Sequence, residues 1–384
     1  MQFGLRWILE ALEGACAMAK TFLDHIGEIE DPRIPGMVHY PLSEILLVIL
    51  VGFLCRAEDF DEMEYLCGEE LVWFRKLLPF ARGVAPAQTM RRTLARLNPR
   101  HLETAFSGWV AGLQSQVRGV IAIDGKTLRG SKHSADGSGA LHLVQAYAHE
   151  AGLVLGSCAT HAKSNEITAI PELLAMIDIH GAIVTIDAMG TQTEIARLII
   201  KGGGDYVLAL KGNQSTLHDD VARWFADPGL AGISKTHSSV DNGHGRIEER
   251  TALAADAAWL AKRHPNWSKL SSIVAVRARR TNKKSGAVSC ETRLYISSLP
   301  SDPEALAAAI RAHWSIENNL HWVLDVSFNE DQCRVRKDHA PQNLAIIRRI
   351  ALNMLKKEPS KMPIKQKRLK AMLDTRFRSR IFAC

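Results

Sequence analysis

No Cys-x-x-Cys pair occurs anywhere in the 384 residues, and the cysteines are odd in number: Cys16, Cys55, Cys67, Cys158, Cys290, Cys333 and Cys384. A scattered, odd set excludes a zinc ribbon or a disulfide framework and fits a reducing cytosol. Long apolar runs are lacking too. The longest, ILLVILVGFLC at 45–55, is far short of the roughly 20 residues that span a bilayer. With Ser43 as its expected N-cap, that run reads as a buried helix. Residues 1–20 carry an apolar patch, but Glu10 and Glu13 interrupt it, so they read as an N-terminal extension and not a signal peptide. Internal repeats and low-complexity tracts are missing as well. What remains, 46% apolar and 23% charged, is an ordinary globular composition, expected in the cytoplasm and long enough for two or three domains.

A phosphate-binding loop is the next absence, although VIAIDGKTLRG at 120–130 invites one. Such a loop needs Gly five places before the Gly-Lys-Thr glycine, so that backbone N–H groups wrap a phosphate. Val120 stands there, and Gly119 is one place too early. The intervening residues are β-branched and apolar, which makes a strand. The strand delivers a carboxylate, Asp124, which reads either as a functional acid or as the start of an Asp-Gly turn.

The formal charge of +7 is modest but unevenly spread. From Arg334 to Cys384, 15 Lys and Arg face Asp338, Glu358 and Asp374, a surplus of +12 that leaves −5 for the rest. Basic density of this order suggests a polyanionic partner, with a solvated helix surface as the plainer reading. The segment from 356 to 384 is read as a basic C-terminal tail that binds phosphate backbone without reading sequence.

Along the chain, 21–118 reads as all-helical. It holds the buried helix, the acidic stretch EDFDEMEYLCGEE and then PAQTMRRTLARLNPR at 86–100. There Pro86 opens a helix with Arg91, Arg92 and Arg96 on one side and Leu94 and Leu97 toward a core, ended by Asn98-Pro99. From 119 the pattern changes to VIAID, LHLVQAYAHE and GLVLGSCAT, then two helix–strand units through DYVLALKG, implying a mixed sheet covered by helices. Residues 215–300 look like an insertion with strand-like runs. A long helix over about 303–324 follows, opened by Asp302 and Pro303, and another over 341–357.

A second acid, Asp187 in GAIVTIDAMGTQ, repeats the setting of Asp124: an apolar strand, Asp, then small residues. Two such strands would place both carboxylates at one sheet edge. A third, Glu317, lies in RAHWSIENNLHWVLD, where His313, Glu317 and His321 at i, i+4, i+8 share a helix face. A buried structural Glu paired to Arg311 and a His-Glu-His zinc site are the competing readings, but the latter leaves both Asp idle. Three hard oxygen ligands suit magnesium or manganese.

These residues carry a resemblance. DPRIPGMVHYPLSEILL, IAIDGKTLRGS, VTIDAMGTQ, DYVLALKGNQ, HGRIEER and HWSIENNLHWVLDVSFNEDQCRVRKDHAPQNLAIIRR, in this order over about 30–350, resemble the DDE transposases of bacterial insertion sequences, and more closely the H-repeat-associated subgroup. The resemblance implies an RNase H-like catalytic domain over 119–355, with a β-rich insertion at 215–300 before the Glu-bearing helix and a helical domain at 21–118. It also implies that Asp124, Asp187 and Glu317 bind two divalent metal ions (Mg²⁺ or Mn²⁺), and that Asp124 is the functional acid. The partners implied are double-stranded DNA, as element terminal inverted repeats and as target, and further copies of the chain in a homodimer or higher assembly; no membrane is involved. Related transposases often carry Tyr, Arg and Lys at −7, −4 and +7 from the Glu; here Ile310, His313 and Leu324 stand there. Arg311, His313, His321 and Asp325 take their place, Asp325 as a fourth metal-side carboxylate or as a partner of His321.

Further DNA contacts follow from chemistry. Lys126 and Arg129 lie just past Asp124, and Lys211, Asn213 and Gln214 leave a strand, all suited to hold phosphates. His244 and Arg246 lie in the insertion, beside Glu248 in HGRIE, which alternatively is a turn with a salt bridge. Arg91 and Arg92, with Gln88 and Arg96, are candidates for reading the element ends. The expected activity is cleavage at those ends followed by joining to target DNA, with a hydrolysis-only nuclease and a non-catalytic DNA-binding relic as rivals.

Overall fold

The computed structural model describes residues 20–113, 119–132, 139–160, 166–243 and 245–383; residues 1–19 of the N-terminal extension and His244 therefore lie outside the described residues. Helix α1 (Phe22–Gly27) starts at a capping box, Thr21 and Asp24 each accepting from the other's backbone N–H. Helix α2 (Leu42–Leu54) is the apolar run, buried along almost its whole length, and a helix apolar all round must be enclosed. It starts at Pro41 and not at Ser43, which falls within the first turn and makes no side-chain cap. Its lone acid, Glu44, is buried and accepts from the Phe80 N–H at 2.7 Å. Helices α3 (Phe60–Glu69), α4 (Ala87–Arg96) and α5 (Pro99–Leu113) build the layer around α1 and α2.

The rest of the chain folds on one sheet of order β3-β2-β1-β4-β5-β9-β8-β7-β6. Strands β1 (Gly119–Leu128), β2 (Leu141–Ala148) and β3 (Leu153–Thr160) form an antiparallel meander. Helix α6 (Glu166–Met176) then crosses to β4 (Ala182–Ile186), and α7 (Thr193–Lys201) to β5 (Asp205–Leu210). Both β4 and β5 run parallel to β1, since a helical crossover returns the chain in the same direction. The β-rich insertion opens with α8 (Ser215–Ala226). It continues as the antiparallel strands β6 (Lys235–Gly243), β7 (Arg246–Asp256), β8 (Ser272–Asn282) and β9 (Val288–Ser297). Because β9 pairs with β5, the insertion extends the central sheet.

Helix α9 (Pro303–His313), capped by Asp302, returns across the sheet and packs on β1, β4 and β7. The expected single helix over 303–324 is interrupted: a π-helical turn, Glu317–His321, separates α9 from α10 (Trp322–Phe328). Helix α11 (Ala340–Lys357) joins the sheet to the helical layer. Its Asn353 bonds both backbone groups of Val154 on the edge strand β3, at 2.9 and 2.8 Å, which closes that edge.

The segment after 356 is no free tail. Helices α12 (Ile364–Leu373) and α13 (Thr375–Ala383) fold back, α12 onto α2 and both onto α11. Arg368 donates to the Phe53 carbonyl at 2.7 Å, and buried Arg378 pairs with Glu70 at 2.7 Å while lying over the Trp73 ring. Part of the +12 surplus therefore stabilises the fold, and the exposed remainder includes Lys361, Lys365, Arg376 and Arg380. No described helix is long and apolar enough to cross a membrane.

One buried acid at the seam of the two layers yields a pH prediction. Glu103 on α5 accepts from the Ser157 N–H and Oγ–H on β3, and burial pushes its carboxyl up to about 7. The folded protein then holds this proton more tightly than the unfolded chain does. Stability from Glu103 is greatest below the ordinary Glu value and declines as pH rises toward 7. Gln keeps an acceptor for the N–H and offers its amide to Oγ. We expect Glu103→Gln to gain on the order of 1–3 kcal/mol at pH 8 and close to nothing at pH 4. Urea midpoints at both values check this; an equal change at both would refute the ionisation argument.

Candidate active site

At Ile123, β1 is paired on both sides, with Ala146 of β2 and Ile186 of β4. That is the last rung of the β1–β4 ladder. Asp124 and Asp187 are the next residue on each strand, so both acids stand where the parallel ladder opens. β1 does not end there, contrary to the expected strand exit. It runs on to Leu128 against β2, and Asp124-Gly125 is extended backbone with no turn. A Cβ at Gly125 would meet the Glu166 carboxylate and the His142 ring, whose ends would have to shift.

Glu317 comes from above, on the π turn that follows α9. A π turn adds one residue to the helical repeat and changes which side chains align, a distortion frequent at functional sites. The Nδ1 of His321 lies 3.7 Å from Asp124 Oδ2 and 3.7 Å from Glu317 Oε2. Asp124, Glu317 and His321 each present a ligand atom within 4.8 Å of the others. Asp187 is outside that trio. Its Oδ1 accepts from the N–H groups of Met189 and Gly190, at 3.0 and 3.3 Å, yet it lines the same cavity of about 670 Å³ as Asp124 and Glu317.

Burial first, and then the charges of Glu317, Asp187 and Glu166, push Asp124 up to about 7. Glu317 is held below the ordinary value, chiefly by the His321 ring beside it. Like charges gathered in a half-buried cleft, with one acid driven toward protonation, form an oxygen donor set that a hard divalent cation would relieve. The residues fit a metal site.

The remaining expected contacts divide. His313 lines the cavity and bonds Thr185 Oγ1 at 3.0 Å, and burial lowers its pKa. It takes no part in the trio, which removes the His-Glu-His reading. Lys211 is exposed at the cavity wall, and Arg129 is exposed, 3.8 Å from Asp331. Arg311 reaches Asp241 of β6 at 2.6 Å, and Arg246 lies 3.7 Å from Glu248. Both line a second groove of about 720 Å³ between α9 and the insertion, together with Arg250, Arg280 and Arg293. Arg293 sits over the ring of Trp314, itself 45% exposed.

Other expected contacts are already engaged within the protein. Lys126 is buried and bound to both oxygens of Asp325, at 2.7 and 2.6 Å, so its ammonium is committed and Asp325 is neither a metal-side acid nor the partner of His321. Asn213 and Gln214 donate to the carbonyls of Ala188 and Thr191, at 2.6 and 3.0 Å; their amides brace the loop after Asp187, although Asn213 stays exposed. Arg91 is paired with Asp61 and lies over Phe60, leaving Arg92 exposed.

Other residues of the site carry no motif in the sequence. His142 bridges Thr127 Oγ1 and Glu166 Oε1, at 2.8 Å each, beside Asp124. Behind His321 lie Gln145, Arg349 and Glu330, all buried. Their signal is a polar residue flanked by apolar ones, as Gln145 is between Val144 and Ala146 in LHLVQAYA, where an unpaired amide would be costly.

Comparison with known proteins adds the following. The family described as "Transposase DDE domain" matches residues 115–354, and "DDE_Tnp_1-associated" matches 23–110. The chain is 37% identical over 369 residues to "Putative transposase YncI" of Escherichia coli O157:H7, covering 95% of each. It is 36% identical over 372 residues to "H repeat-associated putative transposase YhhI" of Escherichia coli strain K12, covering 95% of this chain and 98% of that one. A solved piggyBac transposase synaptic complex with hairpin DNA aligns over 93% of this chain and 77% of that one, at 10% identity and a TM-score of 0.42.

Proposed function

The chain belongs to the family of transposases with a DDE domain, and from that premise we propose that it cuts and joins DNA at the ends of an insertion sequence. One observation carries the reading: Asp124 and Asp187 follow the last paired rung of neighbouring parallel strands, and Glu317 meets them across the same cavity. In the proposed reaction a water oxygen attacks the phosphorus at the element end, the P–O3′ bond breaks and a 3′-OH is freed. That 3′-OH then attacks a target phosphorus, the target's own P–O3′ bond breaks and its 3′ oxygen leaves with the proton, so both steps are in-line displacements at phosphorus. Two divalent ions, magnesium or manganese, would activate the nucleophile and stabilise the leaving oxygen when bound.

Asp124, Asp187 and Glu317 would hold those ions, and the chain's other groups position the DNA. The groove of Arg246, Arg250, Arg280, Arg293 and Arg311 adjoins the cavity and shares Arg293 and Trp314 with it. A duplex end laid there would meet these guanidinium groups, which would exchange their ion pairs with Asp241, Glu248 and Glu291 of the same groove for phosphates, and an indole face near the cavity. Arg129, Lys211 and the exposed cations of α12 and α13 would extend the backbone contact, and Arg92 would lie nearest the bases of the terminal inverted repeat. Two ends held together call for two or more copies of the chain.

The test is incubation of purified protein with labelled element ends, unlabelled plasmid and Mg²⁺ or Mn²⁺. Nicked ends and end–plasmid joints are expected. Nicks without joints would favour a nuclease of the same fold, and neither product would overturn the assignment.

A further inference from the structure

The active-site histidine is connected to a buried chain of polar groups, and donor–acceptor logic fixes what that chain does. Arg349, fully buried, gives two N–H groups to Glu330, at 2.8 and 3.3 Å, another to the Ala345 carbonyl at 2.6 Å, and its Nε–H to the Gln145 side chain at 2.6 Å. A guanidinium only donates. The Gln145 atom it meets must therefore be the carbonyl oxygen, whichever way an amide might be drawn. The NH₂ end of Gln145 is thereby turned toward His321, with Nε2 to Nε2 at 3.3 Å. Since that end only donates, His321 Nε2 must accept. In the neutral ring the proton then sits on Nδ1, the nitrogen 3.7 Å from both Asp124 Oδ2 and Glu317 Oε2.

We infer that Gln145, held by the Arg349–Glu330 pair, is a positioning residue that sets the tautomer of His321, turning its Nδ1–H toward the Asp124 and Glu317 carboxylates and barring it from the metal set. An Nδ1 that carries hydrogen has no lone pair for a cation. The atoms nearest one another thus suggest an Asp-Glu-His site of zinc type, whereas the wiring behind them leaves an all-oxygen set, which selects hard cations. The fully buried salt bridge of Arg349 has its use here. It sets an orientation that an apolar pair of equal volume could not. The inference rests on the reading of Asp124, Asp187 and Glu317 as metal ligands.

Long-range ¹H–¹⁵N spectra of histidine-labelled, metal-free full-length protein decide the matter, recorded above the ordinary histidine pKa, with His321 assigned by its loss in His321→Asn. The wild type should show the unprotonated nitrogen at Nε2, and saturating Mg²⁺ should leave the Nδ1 proton in place. Gln145→Glu puts an acceptor where the NH₂ was and should move the proton to Nε2. Cleavage by that variant should fall about 10- to 100-fold, as for other groups that orient ligands, with gel-shift binding unchanged. A wild-type proton on Nε2, or loss of the Nδ1 proton on adding Mg²⁺, overturns the inference. The spectra need no DNA and no turnover. A protein that failed to cut DNA would sink the proposed reaction and leave the tautomer result standing.

Discussion

Asp124→Asn protein should lose end cleavage by about a thousandfold or more and yet melt at a higher temperature than wild type when no metal is present. The loss follows from the reaction. Metal-assisted stabilisation of a phosphoryl transition state is worth several kcal/mol, and about 4 kcal/mol is a factor of a thousand in rate. The gain follows from the site. Burial and neighbouring acids push Asp124 up to about 7, so its charged form costs stability once the pH exceeds the ordinary Asp value. That cost grows until pH passes the folded value. An amide removes the charge and keeps the shape, for a gain on the order of a few kcal/mol at neutral pH. Adding Mg²⁺ should raise the melting temperature of the wild type and leave that of Asp124→Asn nearly still. Glu317→Gln should match the cleavage loss without the stabilisation, since the folded protein already favours the Glu317 carboxylate, chiefly through the His321 ring beside it. A variant at either position that cuts normally removes that residue from the reaction. An Asp124→Asn protein less stable than wild type contradicts the account of repelling acids.

Much of this site is legible in the order of residues alone. Strand period and apolar runs point to β1 and β4, and an acid after each run is visible in VIAID and VTID. The register that sets the two acids side by side is not, because it depends on which strands become neighbours. The Glu-bearing helix is legible from Asp302-Pro303 onward, but its π turn is not: no residue type demands it, and it is held by packing on the sheet. Charge is the least reliable guide. Lys126, Arg91, Arg368 and Arg378 look like DNA contacts in a sequence, and each is taken by a partner far along the chain, such as Asp325 or Glu70. Only the fold reveals which cations remain free.

That division of the basic C-terminus can be measured. Arg378 is fully buried, bonded to Glu70 and stacked on Trp73, so Arg378→Ala leaves a cavity and an acid without its partner. Glu70 keeps a third of its side chain in solvent, so the cost is below that of a wholly buried pair, on the order of 2–3 kcal/mol with the lost packing, and the variant should melt clearly lower or accumulate as insoluble protein. Deletion after Leu355 should be worse still, since it also strips Phe377, Ile381 and the Arg368–Phe53 bond from the helical layer. Loss of DNA binding in that deletion would therefore report unfolding. Lys361, Lys365 and Arg376 are exposed, and changing all three to Gln should leave the melting temperature within about 1 °C, as surface substitutions do. If these cations lie along DNA, the slope of log affinity against log salt falls by up to about 0.9 for each phosphate no longer neutralised. Matched and scrambled ends should weaken equally. A triple variant with the wild-type slope would show that α12 and α13 serve the fold alone, and an Arg378→Ala protein as stable as wild type would undo the structural half of the division.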